Sequence, residues 1–390
     1  MGALDEQQQQ NRRLTAWQRS TRTLARMSAD HTLAERLAAL AADAGTVHDL
    51  GAWTDVYGGG VVGEVERRTA DLLGMEAAAF FPTGTMAQQV ALRCWAGRTG
   101  NPVVALHPLS HPEVHERGAL TSVSGLRTVH PTTAHRHATA DEIRDLPEPF
   151  GTLMVELPLR DAGFVLPSWE ELEAAVAAAR ERDAVVHLDG ARLWECTPHF
   201  GRGLPEIATL ADSVYVSFYK SLDGLSGAVL AGPESLVEEA RTWRHRYGGQ
   251  VFQQYPAALS ALLGLDRELP RLPSYVAQAK VVAGAMAEAF AGSSVPWFRV
   301  HPEPPHTHQF RVWLPYPAEV LDEASVRQAE ETGVTLFRRW SAAPAGLPGL
   351  SFTEVTVSAP GLEWTADDVR AAVADFVERP ERAVQGRGGR

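Results

Sequence analysis

Short apolar runs alternate with amphipathic helical patterns along the first two thirds of the chain. The apolar runs predict strands that are buried in a sheet, at residues 77–81, 102–106, 126–130, 152–157, 184–188, 213–218 and 227–231. Helical patterns lie between them, at residues 64–73, 83–95 and 169–182. This alternation predicts an α/β fold in which a mostly parallel sheet lies between helices.

A smaller α+β domain is predicted after Pro270 and Pro273. Its pattern gives helices at residues 275–290, 324–331 and 365–377, and strands at residues 298–301, 309–314, 335–340 and 351–357. Near the start, residues 1–12 are predicted to be disordered and residues 15–42 carry a helical pattern. The predicted organisation is an N-terminal segment 1–53, a large domain 54–269, a small domain 270–383, and a tail 384–390 whose Gly/Arg-rich end favours disorder.

Composition restricts the partners of the chain. Its 390 residues carry a formal net charge of −12, which argues against nucleic acid or an anionic membrane surface as the main partner. No apolar stretch reaches the roughly 18 residues of a membrane span, and the start of the chain lacks the apolar run of a secretory signal. Because Cys94 and Cys196 cannot form a disulfide framework, we expect a protein of the reducing cytoplasm.

An acid and a lysine follow two successive predicted strands. Asp189 lies in residues 187–192, HLDGAR, and Lys220 comes 31 residues later, after the run 213–218. Strand ends of an open α/β sheet are where ligands bind. This pair is what pyridoxal phosphate chemistry requires: the lysine amine forms a Schiff base with the cofactor aldehyde, and the carboxylate keeps the pyridine nitrogen protonated. The alternative for Lys220 is a surface lysine at a strand end. His187 is interpreted as a histidine of the core.

A Thr-Gly-Thr sequence, residues 83–85, opens the helix after the strand 77–81. Backbone N–H groups at a helix start, together with two hydroxyls, form a site for an anion such as the cofactor phosphate. An ordinary N-cap has the same appearance, so this signal depends on the acid and the lysine downstream.

HLDGAR, the acid-to-lysine spacing and the sequence TGTMA at 83–87 together resemble the threonine aldolase and β-eliminating lyase group of fold-type-I pyridoxal phosphate enzymes. The resemblance implies the fold of that group, with the two domains given above. It also implies that Gly84 and Thr85 contact the cofactor phosphate. Ser217, three residues before Lys220, is implied as a further phosphate ligand; the alternative is a serine that bonds to the backbone at its strand end. Arg192 is implied to reach the cofactor ring oxygen and the substrate carboxylate, or else to pair with Asp189.

The same resemblance implies a role for His111. With Glu116, Gly118 and Ala119 it matches the register of the family, in which this histidine stacks on the pyridine ring near the substrate hydroxyl. His111 is therefore a cofactor contact and the candidate catalytic base, with His115 as the fallback. The competing interpretation, a metal cluster of nearby histidines, lacks the spacing of a usual zinc site, and no metal is expected.

Tyr57 and the three glycines after it resemble a loop that completes the neighbouring subunit's site in many fold-type-I dimers. The resemblance thus implies substrate contact by Tyr57 and a homodimer or homotetramer. The C-terminal arginine that holds the substrate carboxylate in the family has no counterpart between Ser341 and Asp368. Arg311 and Arg160 are the candidates to replace it, beside Arg192.

The resulting hypothesis is a pyridoxal phosphate-dependent aldehyde-lyase. It would cleave a threonine-like β-hydroxy-α-amino acid to glycine and an aldehyde by a retro-aldol reaction, with Lys220, His111 and Asp189 as the catalytic residues. The alternatives are β-elimination or transaldol transfer on a non-standard amino acid, and a non-catalytic homologue that binds the cofactor.

Overall fold

The computed structural model describes residues 3–343 and 349–387; the side chains of residues 3–6 and 381–387 are outside this description. The helices are α1 (Ala3–Arg19), α2 (Leu33–Asp43), α3 (Val61–Leu73), α4 (Gly84–Thr99), α5 (His111–Val114), α6 (Ala119–Ser122), α7 (Ala140–Arg144), α8 (Trp169–Arg180), α9 (Thr197–Phe200), α10 (Leu204–Ala208), α11 (Glu234–Arg246), α12 (Tyr255–Arg267), α13 (Leu272–Ala291), α14 (Ala318–Thr332) and α15 (Ala366–Arg387). The strands are β1 (Arg22–Thr23), β2 (Ala77–Phe81), β3 (Val103–Ala105), β4 (Arg127–Val129), β5 (Thr152–Glu156), β6 (Val185–Gly190), β7 (Ser213–Ser217), β8 (Ala228–Gly232), β9 (Arg299–His301), β10 (Gln309–Leu314), β11 (Val334–Thr335), β12 (Trp340–Ala342) and β13 (Ser351–Thr356). Short 3₁₀ helices lie at Ser28–Asp30, Ala44–Thr46, Leu193–Glu195, Leu269–Arg271 and Ala359–Glu363.

The chain divides into two compact units. The large unit is Leu37–Pro270, and the second unit combines Met1–Arg36 with Arg271–Arg390. The sequence predicted one N-terminal segment, 1–53, separate from both domains. In the structure residues 1–36 of this segment group with the C-terminal residues, and residues 37–53 belong to the large unit. The pairing of β1 with β11 in a short parallel sheet joins the first part to the C-terminal residues.

The large unit contains a seven-stranded sheet in the order β2-β8-β7-β6-β5-β3-β4. Strands β7, β6, β5, β3 and β4 run parallel to one another, whereas β8 runs antiparallel to both β2 and β7. The strands β6, β7 and β8 are buried almost throughout, which explains their continuous apolar sequences. The mostly parallel sheet between helices that the sequence predicted is confirmed.

One face of this sheet carries a core formed by β2, β8 and the helices α4 and α11, with Phe81, Val90, Leu230 and Val237 among its members. His187 of β6 lies in the interior, fully buried, and its ring nitrogens hydrogen-bond to Ser213 Oγ (2.8 Å) and Gln88 Oε1 (2.7 Å). Burial lowers the pKa of His187 to about 3, so the ring is neutral and structural.

The second unit contains an antiparallel sheet in the order β12-β13-β10-β9, together with the helices α13, α14 and α15. Its core contains Phe310, Phe337, Phe376 and Met286. The run 335–340 was predicted as one strand. It is instead the end of β11 and the start of β12 with a non-strand connection between them.

The start of the chain also differs from the sequence prediction. Residues 1–12 were predicted to be disordered, but α1 begins at Ala3. Contacts with a distant helix stabilise α1. The Arg12 guanidinium donates to the carboxylates of Glu323 and Glu330 on α14, and Ala16 packs against α14. The tail 384–390 was predicted to be disordered at its Gly/Arg-rich end. Residues 384–387 belong to α15, whereas 388–390 lie outside the described residues. Among the described helices, none has the length and apolar character that a membrane crossing requires.

Candidate active site

Three ionisable side chains meet where the parallel strands β5, β6 and β7 end. Glu156 closes β5 and is the register partner of Asp189 on β6, which is in turn the partner of Tyr215 on β7. Lys220 follows three residues after the end of β7. Register partners on parallel strands project to the same face of the sheet, so the predicted acid and lysine lie at one edge, as ligand sites of open α/β sheets do.

The charges of this cluster act strongly on one another. Burial lowers the pKa of Lys220 to about 8; Arg192 acts in the same direction, and Asp189 and Glu156 act against it. Asp189 is 1% exposed, and burial raises its pKa, opposed by the charges of Lys220 and His111. Burial and the adjacent Asp189 raise the pKa of Glu156 to about 7. A lysine that loses its proton near neutral pH and an acid stabilised by nearby cations are suited to covalent amine chemistry.

The first turn of α4 forms a candidate anion site. Thr83 is the N-cap, and its hydroxyl accepts from Met86 N. The N–H groups of Gly84 and Thr85, as the first two of the helix, have no partner within it and point outward. A Cβ built at Gly84 would lie 2.0 Å from the Tyr215 hydroxyl, so only glycine allows this turn to approach β7.

His111 is held from several sides. Its Nδ1 lies 3.2 Å from the carboxylate of Glu116, which receives a second hydrogen bond from Gln89 at 3.1 Å, and Gln89 in turn accepts one from Ser124 at 2.6 Å. The side chain of Glu116 is fully buried, whereas one third of the His111 side chain is exposed. A carboxylate at Nδ1 favours a proton on that nitrogen and leaves Nε2 as the acceptor. The arrangement suits a base whose open ring face can stack on a cofactor.

His115, the fallback for this role, lies close by. Its ring centroid is 5.2 Å from that of His111, and its Nε2 lies 2.6 Å from the Asp161 carboxylate. Of the other histidines in the region, His107 uses both ring nitrogens on the backbone, contacting Ala134 O and Leu109 N. Within the described residues, no three His, Cys, Asp or Glu side chains are placed to hold a metal ion.

Arg192 lies above a buried aromatic ring. Its Cζ is 5.4 Å from the ring centroid of Phe164, which is fully buried and has a φ of +62°, a conformation that a bulky residue rarely adopts. Among the described residues, no hydrogen-bond partner is found for the buried Nε of Arg192. An arginine with an unused buried donor beside Lys220 fits a carboxylate or a cofactor oxygen.

Ser217 is placed differently from the phosphate ligand that the resemblance implied. It is fully buried, and its hydroxyl donates to Ala191 O at 2.8 Å. A hydroxyl has one proton, and here that proton is used between β7 and the residue after β6. This contact corresponds to the alternative of a serine bonded to backbone, although the acceptor is the residue after β6 and not the backbone of its own strand end.

For the remaining candidates, Tyr57 and Arg311, the structure shows contacts with residues other than Lys220, Asp189 and Glu156. Tyr57 is 61% exposed and touches Phe252, with ring centroids 5.6 Å apart. Arg311 belongs to the second unit, where its guanidinium donates to Glu354 at 3.0 Å and lies over the ring of Phe352. Its side chain is 6% exposed, so this arrangement commits Arg311 to an internal ion pair.

Two features of the site were missed from the sequence as functional positions. Glu156 was not among the sequence candidates, because its position beside Asp189 depends on the strand order. The sequence around Phe164 indicates a functional position by no motif; Gly163 before it is typical of a turn. The turn that contains it is closed by a bridge between Leu159 and Val165.

Comparison with known proteins identifies the family of the chain. Residues 50–293 match the family model described as beta-eliminating lyase. The chain belongs to the beta-eliminating lyase family. Membership in the family confirms the predicted fold-type-I architecture, and with it the prediction of pyridoxal phosphate as the cofactor.

Relatives in this family extend over most of the chain. A structure of a protein proposed to be an L-allo-threonine aldolase, from Listeria monocytogenes, is 35% identical with a TM-score of 0.83, covering 94% of this chain and 99% of that one. A protein from Exiguobacterium, proposed to be an aromatic amino acid beta-eliminating lyase or threonine aldolase, is 36% identical with a TM-score of 0.84, covering 95% and 100%. The low specificity L-threonine aldolase of Escherichia coli K12 is 31% identical over 245 residues, which are 61% of this chain and 72% of that protein.

Proposed function

We propose that this protein is a pyridoxal phosphate-dependent aldehyde-lyase that cleaves a threonine-like β-hydroxy-α-amino acid to glycine and an aldehyde. The observation that carries the proposal is the meeting of Lys220, Asp189 and the Glu116-bound His111 at one edge of the sheet. The similarity of the chain to proteins described as threonine aldolases supports the same reaction.

The residues of the site fit the cofactor. Gly84 and Thr85 would bind its phosphate through the first N–H groups of α4, and Asp189 would hold the proton on its ring nitrogen. Lys220 would attach to it covalently. When bound, pyridoxal phosphate supplies the electron sink for the bond that breaks beside the amino group.

The other side chains act on the substrate. Arg192, supported by Phe164, would bind the substrate carboxylate and set which bond lies perpendicular to the cofactor plane. His111 would accept the proton of the β-hydroxyl at Nε2, while Glu116 stabilises the charge that then develops on the ring. Arg160, near enough to lower the pKa of Lys220, is the second candidate for the carboxylate.

We further propose that the protein acts as a homodimer or homotetramer. Large apolar side chains are exposed in the segment that contains Tyr57 and in its contact Phe252: Trp53 is fully exposed, Phe252 is 57% exposed and Leu50 is 56% exposed. Exposed apolar side chains suit an interaction surface, and a second copy of the chain is the partner that the resemblance implies. Cys94 and Cys196 are free and buried, as suits the reducing cytoplasm that we propose as the compartment.

The test is product analysis with the purified protein and added cofactor. Threonine and phenylserine should yield glycine, measured by chromatography, and Lys220→Ala should abolish both the yield and the covalent attachment. Lys280→Ala changes an exposed lysine on α13 and is the matched control. Pyruvate and ammonia from serine-type substrates, with no glycine, would replace the aldolase proposal by β-elimination. Normal glycine formation by Lys220→Ala would refute the assignment of the lysine.

A further inference from the structure

The carboxylate of Glu156 connects two segments of main chain beside the active site. One oxygen accepts the N–H of His111 at 2.7 Å and the other accepts the N–H of Arg160 at 3.2 Å. Glu156 is 7% exposed. The contact with His111 is long-range, since His111 lies 45 residues earlier in the chain, whereas Arg160 follows Glu156 by four residues.

The placement of this carboxylate is costly. Its register partner is Asp189, so two acids project side by side from strands that lie about 5 Å apart. Like charges at this separation in a buried site destabilise each other. The charge of Lys220 and the two N–H donors offset the cost. An apolar side chain here would avoid the repulsion, but it would leave the N–H groups of His111 and Arg160 without this acceptor.

The two segments that Glu156 joins contain His111 and the turn that supports Arg192. His111 begins α5, so the carboxylate bonds to the first N–H of that helix. Glu116 holds the ring of the same histidine at Nδ1. One acid thus fixes the main chain of His111 and a second fixes its ring. On the other side, Arg160 opens the turn in which Phe164 supports Arg192.

We propose that Glu156 is a positioning residue, which fixes the main chain of His111 and the turn of Arg160 relative to Asp189. The role it gives to His111 rests on the function proposed above, whereas the two main-chain contacts do not. Loss of the carboxylate would leave the phosphate site on α4 unchanged and would displace the base. A displacement of about 1 Å lowers turnover by up to roughly 100-fold.

Glu156→Gln tests the proposal with little change in volume. An amide presents one acceptor oxygen and one NH₂ group, so one of the two N–H donors would face another donor. Glu156→Asp keeps the charge on a side chain shorter by one methylene. Glu206→Gln is the matched control, because Glu206 also accepts a main-chain N–H, that of Gly203 at 2.8 Å, at the start of α10.

Two measurements are made on each variant. Hydrogen–deuterium exchange of the cofactor-free protein, read by mass spectrometry, reports on segments 107–116, 157–165 and 203–210. Steady-state kinetics of the holoenzyme with threonine or phenylserine gives kcat and KM separately. In Glu156→Gln we expect faster exchange in the first two segments, a kcat lowered roughly 10- to 100-fold, and a KM within about threefold of wild type.

Glu156→Asp should recover part of the lost kcat, and Glu206→Gln should change exchange only in segment 203–210. If Glu156→Gln does not fold, the Asp variant should show faster exchange in at least one of the two segments. The proposal is overturned by unchanged exchange at 107–116, by a kcat within twofold of the control, or by an Asp variant as poor as the Gln variant. Should the wild type cleave neither substrate, the proposed function fails, and the exchange data alone decide the role of Glu156.

Discussion

Lys220 should react with the cofactor at a pH well below that of an ordinary lysine. Burial, with Arg192 as the next cause, lowers its pKa from 10.5 to about 8. Only the neutral amine attacks an aldehyde. At pH 7.5 about a quarter of such amines are neutral, against roughly one in a thousand at the ordinary pKa, so capture of pyridoxal phosphate should be about 200-fold faster than by an ordinary lysine equally accessible.

The assay is stopped-flow absorbance after mixing cofactor-free protein with pyridoxal phosphate over a range of pH. The rate should rise with pH and level off with a midpoint near the lowered pKa. Arg192→Leu removes the foremost charge that lowers this pKa, so its midpoint should move upward. Arg202→Leu, at an exposed arginine before α10, is the control and should match wild type. A wild-type midpoint near that of free lysine, or equal midpoints in Arg192→Leu and wild type, would refute the reasoning.

The same pKa has a consequence for stability. Since the folded state disfavours the charged amine, the unfolded chain binds the proton more strongly between the folded pKa of about 8 and the ordinary value of 10.5. The free energy of unfolding of the cofactor-free protein should therefore rise with pH through that window. Urea titrations at several pH values measure this rise, which should be weaker in Lys220→Met.

Three other changes have defined outcomes. Asp189→Asn should keep some bound cofactor and lose several orders of magnitude in turnover, because an amide cannot hold the ring nitrogen protonated; near-normal turnover would remove the residue from the mechanism. Gly84→Ala should weaken cofactor binding at least roughly tenfold in absorbance titrations, because its Cβ would collide with Tyr215, whereas Gly97→Ala in the same helix meets nothing within 4 Å and should bind normally. Glu66→Ala should destabilise the protein by about 3 kcal/mol in urea unfolding, because it leaves two arginines without their carboxylate; a loss under 1 kcal/mol would contradict this.

Sequence patterns predicted the parts of the site that depend on local order. Asp189 and Lys220 follow buried apolar runs, and the strands before them are neighbours in the sheet, as is usual for consecutive strands. The helix after the first strand was predicted to begin at Thr83; in the structure α4 begins one residue later, with Thr83 as its N-cap. The register of His111 with Glu116 came from the family resemblance, and the structure places the two side chains in contact.

The parts that were missed depend on contacts between distant residues. The sequence does not show that the strand ending at Glu156 lies beside the strand of Asp189, so the acid pair could not be recognised. The ring of Phe164 lies beneath Arg192, in a turn where Phe164 has a positive φ. The resemblance implied that Ser217 contacts the cofactor phosphate; in the structure its hydroxyl donates to the carbonyl of Ala191. In each case long-range packing decides the role.

During synthesis the two units become complete at different times. The large unit is one continuous stretch, whereas the second needs residues from both ends of the chain. The partners of α1, Glu323 and Glu330, are synthesised some 300 residues after it. At the usual rate of translation this delay is roughly 15 to 60 s. The four consecutive glutamines at residues 7–10 make this a polar segment, suited to remaining in water while the large unit folds. A chain released before α14 emerges would contain the complete sheet of the large unit and an N-terminal helix without its partners Glu323 and Glu330.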